Sequence, residues 1–260
     1  MRQTVVGHRA GAPANRSLTV AALKGPPETA IVFDMDGVLV DPERSYRQTV
    51  VETVAHFAGS APRITLGEIE DYKNQGGYNN DWALTQRILL DRGVEVDYGA
   101  IIDRFNQIFF GSNHDGLIMQ EQWLVEDGLL ERLSTQHHLA VFTGRLDFEA
   151  ALTLNRFAPG IPFAPRVCSD HVENPKPAPD GLFAIQQAMP GTQLIYIGDT
   201  VDDARPSRLA GVPFIGVAKR DHLRRAELIR LFEEEGAAAV IENVNEVEQA
   251  IARILAGVAS

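Results

Sequence analysis

The sequence is short of cysteine, of basic charge and of long apolar runs, and each shortage excludes something. Cys168 is the only cysteine among 260 residues. No internal disulfide can form, and a reducing compartment, the cytoplasm, is expected. In the stretch PRVCSD it reads as a small buried core residue rather than a nucleophile. Basic residues number 24 against 35 acidic ones, a net charge of −11. That balance argues against a nucleic-acid surface, which is usually basic. It leaves room for an anionic substrate, because the field inside a site can oppose the net charge. No apolar run reaches the roughly 18 residues of a membrane span, and the N-terminus lacks the apolar core of a secretory signal. There is no internal repeat and no low-complexity tract.

What is present has a clear rhythm. Residues 1–28 form a lead-in punctuated by glycine and proline, with a short strand or turn at 18–23. The apolar run Ile31, Val32, Phe33 followed by Asp34, Asp36 and Gly37 predicts a buried strand over 31–36. Asp41-Pro42-Glu43 predicts a helix start, with Tyr46, Val50, Val54 and Phe57 as its apolar stripe. Helices are predicted at 64–73, 81–91 and 98–110, and no strand ladder is expected among them. After Gly128 the pattern alternates: helices at 129–136, 148–157, 179–189, 202–210, 222–235 and 244–255, and strands at 139–142, 166–169, 194–197, 214–217 and 239–241. Such alternation implies a parallel sheet covered on both faces. The predicted organisation is an α/β core over 29–40 and 125–260, interrupted by an all-helical insert over 41–124.

In sheets of this class the ligand crevice lies beyond the carboxyl ends of the strands. Asp34 and Asp36 end the first strand and, two residues apart, project to one face. Two adjacent half-buried carboxylates resist ionisation, and a hard divalent cation relieves them. A surface turn with two solvated acids is the plain alternative. Thr143 in VFTGR ends the second strand, Lys176 in NPKPAPD follows the third, and Asp199, Asp202 and Asp203 in YIGDTVDD end the fourth. Asp202 could equally be a helix N-cap. Together the set suits a magnesium ion and a phosphoryl group. A lysine neutralises phosphate as a compact charge. One carboxylate can attack phosphorus and a second can move the proton.

These four motifs resemble those of the haloacid dehalogenase superfamily in its phosphatase branch. The match runs over about residues 30–218, and the insert resembles the cap of the phosphoglycolate phosphatase-like subfamily. The resemblance implies a Rossmann-like sheet flanked by helices, and roles for each motif. Asp34 would be the nucleophile and, with Asp199, a magnesium ligand. Asp36 would be the general acid/base, with its backbone carbonyl on the metal. Thr143 would hold a phosphoryl oxygen, Lys176 would orient the nucleophile, and Asp203 would support the metal, with Asp202 adjacent. The implied activity is hydrolysis of a small phosphorylated metabolite.

Asp36 argues against the dehalogenases and phosphonate hydrolases of the superfamily, which lack an acid there. A phosphosugar mutase akin to β-phosphoglucomutase, or an inactive binding protein on the same fold, are the alternatives. Substrate choice is expected from the loop QGGYNND (75–81), through Asn79 and Asn80 with Tyr78 and Trp82. Helix capping by the Asn pair is the competing reading. Gly144 lies beside Thr143, and Arg145 is expected either to grip a substrate anion bidentately or to pair with a carboxylate on the rim. Lys73, Arg44 and Arg47 are expected to be solvated, His137 and His138 likewise, and His171 is read as a surface loop residue.

Overall fold

The computed structural model describes residues 28–113 and 115–257. The expected strand or turn at 18–23 lies outside them, as does the lead-in except Glu28. In chain order the elements are β1 (Thr29–Phe33), β2 (Val40–Asp41), α1 (Gln48–Ala58), α2 (Leu66–Gln75), α3 (Asp81–Asp91) and α4 (Tyr98–Phe110). Then come β3 (Gln122–Trp123), α5 (Leu129–Ser134), β4 (His138–Phe142), α6 (Asp147–Phe157), β5 (Phe163–Val167) and α7 (Asp180–Ala188). The chain ends with β6 (Gln193–Gly198), α8 (Val201–Ala210), β7 (Phe214–Val217), α9 (Arg225–Glu234), β8 (Ala239–Ile241) and α10 (Val247–Leu255).

Six parallel strands form the sheet in the order β5-β4-β1-β6-β7-β8. Its central strands are apolar on both sides because both sides are covered. Ile31 and Phe33 face one core cluster, closed by Leu130, Leu154 and Ile251 from α5, α6 and α10. Ala30 and Val32 face the other, closed by Leu182, Ala204 and Phe232 from α7, α8 and α9. This is the strand period of two expressed as packing. β1 is central: it pairs with β4 on one side and β6 on the other. The chain therefore reverses its winding at β1, which opens a crevice beyond the carboxyl ends of these three strands.

The expected strand at 31–36 ends earlier, at Phe33. The Asp34 N–H still reaches the Ile197 carbonyl at 2.8 Å, but the Met35 carbonyl then accepts from both Leu39 and Val40 and curls the chain. Gly37 sits in this curl at φ 74°, where a Cβ would stand 1.8 Å from Asp199 Oδ2. Asp36 thus reaches the rim from a loop, not along a strand face.

Helices α1–α4 share their own apolar cluster, with Val50, Ile69, Leu84, Ile88 and Phe105 at its centre. The expected helices at 81–91 and 98–110 match α3 and α4, and Thr65 opens α2 with a reciprocal Glu68 capping box. A further expectation fails. The insert is not free of strand: β2 and β3 pair antiparallel, Val40 with Trp123 and Asp41 with Gln122, where the chain leaves and re-enters the core. Two-residue strands are too short to carry a readable period. No helix among the described residues is long and apolar enough to cross a membrane.

Candidate active site

The carboxyl ends of β1 and β6 bring Asp34, Asp199 and Asp203 together, with ligand oxygens all within 4.8 Å of one another. Lys176, 6% exposed, comes from the loop before α7. Its Nζ donates to Asp34 Oδ1 at 2.7 Å and to Asp203 Oδ1 at 2.6 Å. Burial pushes the Asp34 carboxyl up to about 7, against the pull of Lys176 and with the repulsion of Asp203 and Asp36. Burial, then Asp203 and Asp34, raise Asp199 well above the usual range. Burial also works against Asp203, but Lys176, the Tyr196 hydroxyl and the Thr200 hydroxyl outweigh it and hold that carboxyl below its ordinary value. Asp199 makes no hydrogen bond or ion pair among the described residues. Lys176 pairs with two of the three acids and Asp199 has no such partner among the described residues, so the cluster holds more carboxylates than its lysine balances, and a cation would relieve their crowding. Its donors are hard carboxylate oxygens, the set that magnesium takes. The residues present therefore fit such an ion.

Asp202 does not cap α8. Thr200 stands at the cap, and its N–H and O–H both go to Asp203 Oδ2. The Asp202 carboxylate instead accepts the Gly77 N–H at 2.8 Å, from the loop between α2 and α3. A Cβ on neighbouring Gly76 would come within 3.0 Å of Asp202 Oδ1. This is a direct join between insert and core.

A chamber opens over the cluster. Among its lining residues are Asp34, Asp36, Gly144, Arg145 and Asp199 from the core, and Tyr46, Arg47, Lys73, Asn79, Asn80 and Trp82 from the insert. Thr143 is 1% exposed; its hydroxyl accepts the Arg145 N–H at 3.2 Å. Gly144 lets the insert approach: a Cβ there would stand 2.1 Å from Asn79 Nδ2.

Several expected roles change. Asn80 caps α3, accepting from the Trp82 and Ala83 N–H groups at 2.9 and 3.0 Å, so its carbonyl oxygen is committed to the helix end. Arg145 lines the chamber, but its guanidinium is committed to partners within the protein. It is 3% exposed, and its guanidinium grips Asp36 with Nε at 2.9 Å from Oδ2 and Nη2 at 2.8 Å from Oδ1. The rim-pairing alternative is the one realised. Lys73 is buried, with Nζ 2.8 Å from Asp81, and Arg47 is buried with Nε 3.2 Å from Glu70. Both lie where the insert closes on the core, so neither is solvated. Arg44 is exposed, His171 is largely exposed and His137 and His138 are half-buried, with His137 hydrogen-bonded to Thr29. Cys168 is buried and free, as expected.

Sequence reasoning missed Glu121, Glu149 and the catalytic-side position of Tyr46. Glu149 is 4% exposed and takes the Tyr46 O–H at 3.0 Å and the Leu146 N–H at 2.9 Å. Burial lifts its carboxyl above the ordinary range. No motif marks these residues; Tyr46 was legible only as part of an apolar stripe. The indole N–H of Trp82 is buried without a hydrogen-bond partner among the described residues.

A profile of the haloacid dehalogenase-like hydrolases matches residues 31–217. The chain is 30% identical over 232 residues to an imidazoleglycerol-phosphate dehydratase of Phytophthora nicotianae, covering 83% of this chain and 50% of that protein. It thus spans half the length of that relative. It is 28% identical over 193 residues to a phosphoglycolate phosphatase of Agrobacterium fabrum, covering 72% and 78% of the two chains. Its fold matches a haloacid dehalogenase-like protein of Agrobacterium tumefaciens with TM-score 0.67 at 19% identity, over 87% of this chain and 98% of that one.

Proposed function

The chain belongs to the haloacid dehalogenase-like hydrolase family, and on that premise we propose that it is a magnesium-dependent phosphatase for a small phosphate monoester, working through an aspartyl-phosphate. The observation that carries this reading is the cluster of Asp34, Asp199 and Asp203, of which Lys176 pairs with Asp34 and Asp203 alone, so that it is short of positive charge where a phosphoryl group would meet a nucleophile.

Asp34, Asp199 and the Asp36 carbonyl would hold the magnesium, supported by Asp203; the bound ion would supply positive charge to the phosphoryl oxygens. Asp34 Oδ attacks phosphorus, and the bond from phosphorus to the ester oxygen breaks. The leaving oxygen takes its proton from Asp36. Water then attacks the phosphoryl group, gives a proton to Asp36, and the Asp34–phosphorus bond breaks to release phosphate. Lys176 keeps Asp34 oriented and balances its charge, and Thr143 and Gly144 border the phosphoryl group. General acid–base assistance of this kind is worth roughly 10²–10⁴-fold.

The insert, with the 75–81 loop latched to α8 through Asp202, acts as a cap that excludes water from the reaction. Asn79 and the free Trp82 N–H offer neutral hydrogen bonds to the organic part of the ester.

The test is a screen of purified protein against phosphorylated metabolites with magnesium present. Phosphoglycolate, the substrate in the name of the Agrobacterium relative, heads the panel, followed by sugar phosphates and amino-alcohol phosphates such as histidinol phosphate. Phosphate release that stops with chelator is the expected result. Full activity in excess chelator would remove the metal from the scheme, and isomerisation of a sugar phosphate without phosphate release would make the protein a mutase.

A further inference from the structure

The Asp36 carboxylate is held more firmly than its place on a curled loop requires, and the group that holds it is itself held. The Arg145 guanidinium sends Nε to Asp36 Oδ2 and Nη2 to both Asp36 Oδ1 and Glu121 Oε1, the last at 2.6 Å. Its Nη1 donates to Thr153 Oγ1 at 2.7 Å, and that hydroxyl donates to Glu121 Oε2 at 2.8 Å. Four of the five guanidinium N–H bonds are thus committed to fixed partners. The Glu121 side chain is fully buried. The Arg145 Cζ lies 4.9 Å from the centre of the Tyr46 ring.

These partners come from both crossings between core and insert. Tyr46 stands just after β2, where the chain leaves the core; Glu121 stands just before β3, where it returns. The Arg145 backbone is fixed as well: its carbonyl accepts the Ser169 N–H at 3.0 Å and its N–H reaches Thr143 Oγ1. A planar fork locked on three sides allows the acid it grips one orientation. A bystander ion pair would not need a second buried acid at the root of the insert.

We infer that Arg145 is the positioning residue for Asp36, and that through Glu121 and Tyr46 it registers that carboxylate against the two chain crossings on which the insert is hung. The inference rests on the proposed acid/base role of Asp36. Arg145 itself touches no reacting atom. The proton that Asp36 gives to the leaving oxygen is needed most by poor leaving groups, so a misplaced Asp36 has a signature that loss of fold does not share.

The experiment compares 4-nitrophenyl phosphate, whose leaving group needs little protonation, with benzyl phosphate, which needs much. Values of kcat/KM are measured with magnesium for the full chain and for Arg145→Lys, which keeps the charge but loses the fork. The loss on benzyl phosphate should exceed that on 4-nitrophenyl phosphate by about tenfold or more, a part of the 10²–10⁴ that acid–base assistance supplies. On 4-nitrophenyl phosphate kcat should fall more than kcat/KM, because Asp36 also takes the proton from water in the second step. Glu121→Gln removes the charged anchor and leaves Arg145 in place; it should show the same selectivity at about threefold, and it carries the test if Arg145→Lys does not fold. Equal losses on the two esters in the folded variants would overturn the inference. Asp36→Asn in the same assay separates the two readings: if it lacks the leaving-group selectivity, the role of Asp36 fails; if it has it and the Arg145 and Glu121 variants do not, only the positioning role fails.

Discussion

The two walls of the chamber use charge in opposite ways. On the core side, Asp34, Asp199 and Asp203 crowd together with one lysine that pairs with only two of them. On the insert side, charge is cancelled locally: Lys73 by Asp81, Arg47 by Glu70, and the Asn80 carbonyl by the end of α3. The core wall concentrates a field where a metal and a phosphoryl group would sit. The insert wall presents shape and neutral hydrogen bonds, with Asn79 seated over Gly144. A surface that cancels its own charge cannot treat one phosphate differently from another by Coulomb attraction, so under the proposed function it would discriminate through contacts to the rest of the ester.

The largest way to break this contrast is at the nucleophile. Asp34→Asn keeps the shape and removes the attacking charge, so turnover should drop by roughly 10³-fold or more. The thermal midpoint without metal should hold or rise, since a crowded buried carboxylate has been relieved; a kinetic assay beside a melting curve checks both. Lys176→Met attacks the same wall from its positive member. It leaves Asp34 and Asp203 buried without their cation, which costs about 3–5 kcal/mol of stability. Denaturant unfolding should show that loss, and an unchanged midpoint would mean the cluster is not buried in solution.

The insert wall is tested by pH. Glu70, between Arg47 and His222, is the clearest case. Burial opposes its charge, but Arg47 and the His222 hydrogen bond win, and its carboxyl is held down to about 2 from 4.5. A depressed folded value means stability that is present above pH 4.5 and is lost as pH falls towards 2. On the order of 3 kcal/mol is at stake. Glu70→Gln should therefore destabilise most at pH 7, and the gap in midpoint from wild type should shrink by pH 3. A gap that does not change with pH would mean the pair contributes packing alone.

The smallest effects separate the two asparagines. Asn79→Ala should change the preference among phosphate esters by about tenfold in kcat/KM, the cost of a ligand hydrogen bond left without its partner. Asn80→Ala should lower stability by about 1 kcal/mol, as removal of a helix cap does, and leave the preference nearly unchanged. Equal shifts in preference for the two would restore Asn80 to the recognition surface.

What the sequence by itself determined was the sheet and its rim. Apolar runs ended by acids, glycine or threonine mark strand ends, and a strand end in a parallel sheet already has an address. Asp34, Thr143, Lys176 and Asp199 could thus be brought to one crevice from the sequence, and the helices expected at 81–91 and 98–110 are α3 and α4. Only the tertiary structure decided how the polar groups pair. Arg145 and Asp36 stand 109 residues apart, and no local pattern announces their grip. Lys73 and Arg47 read as solvated because a charge on an amphipathic helix normally is; the closure of the insert on the core buries them against Asp81 and Glu70. Asp202 looked like a cap because it opens a helix, yet its partner is a glycine N–H 125 residues away. Secondary structure follows from neighbours along the chain. The partner of a buried charge follows from which distant elements the packed core forces together, and that is a property of the fold alone.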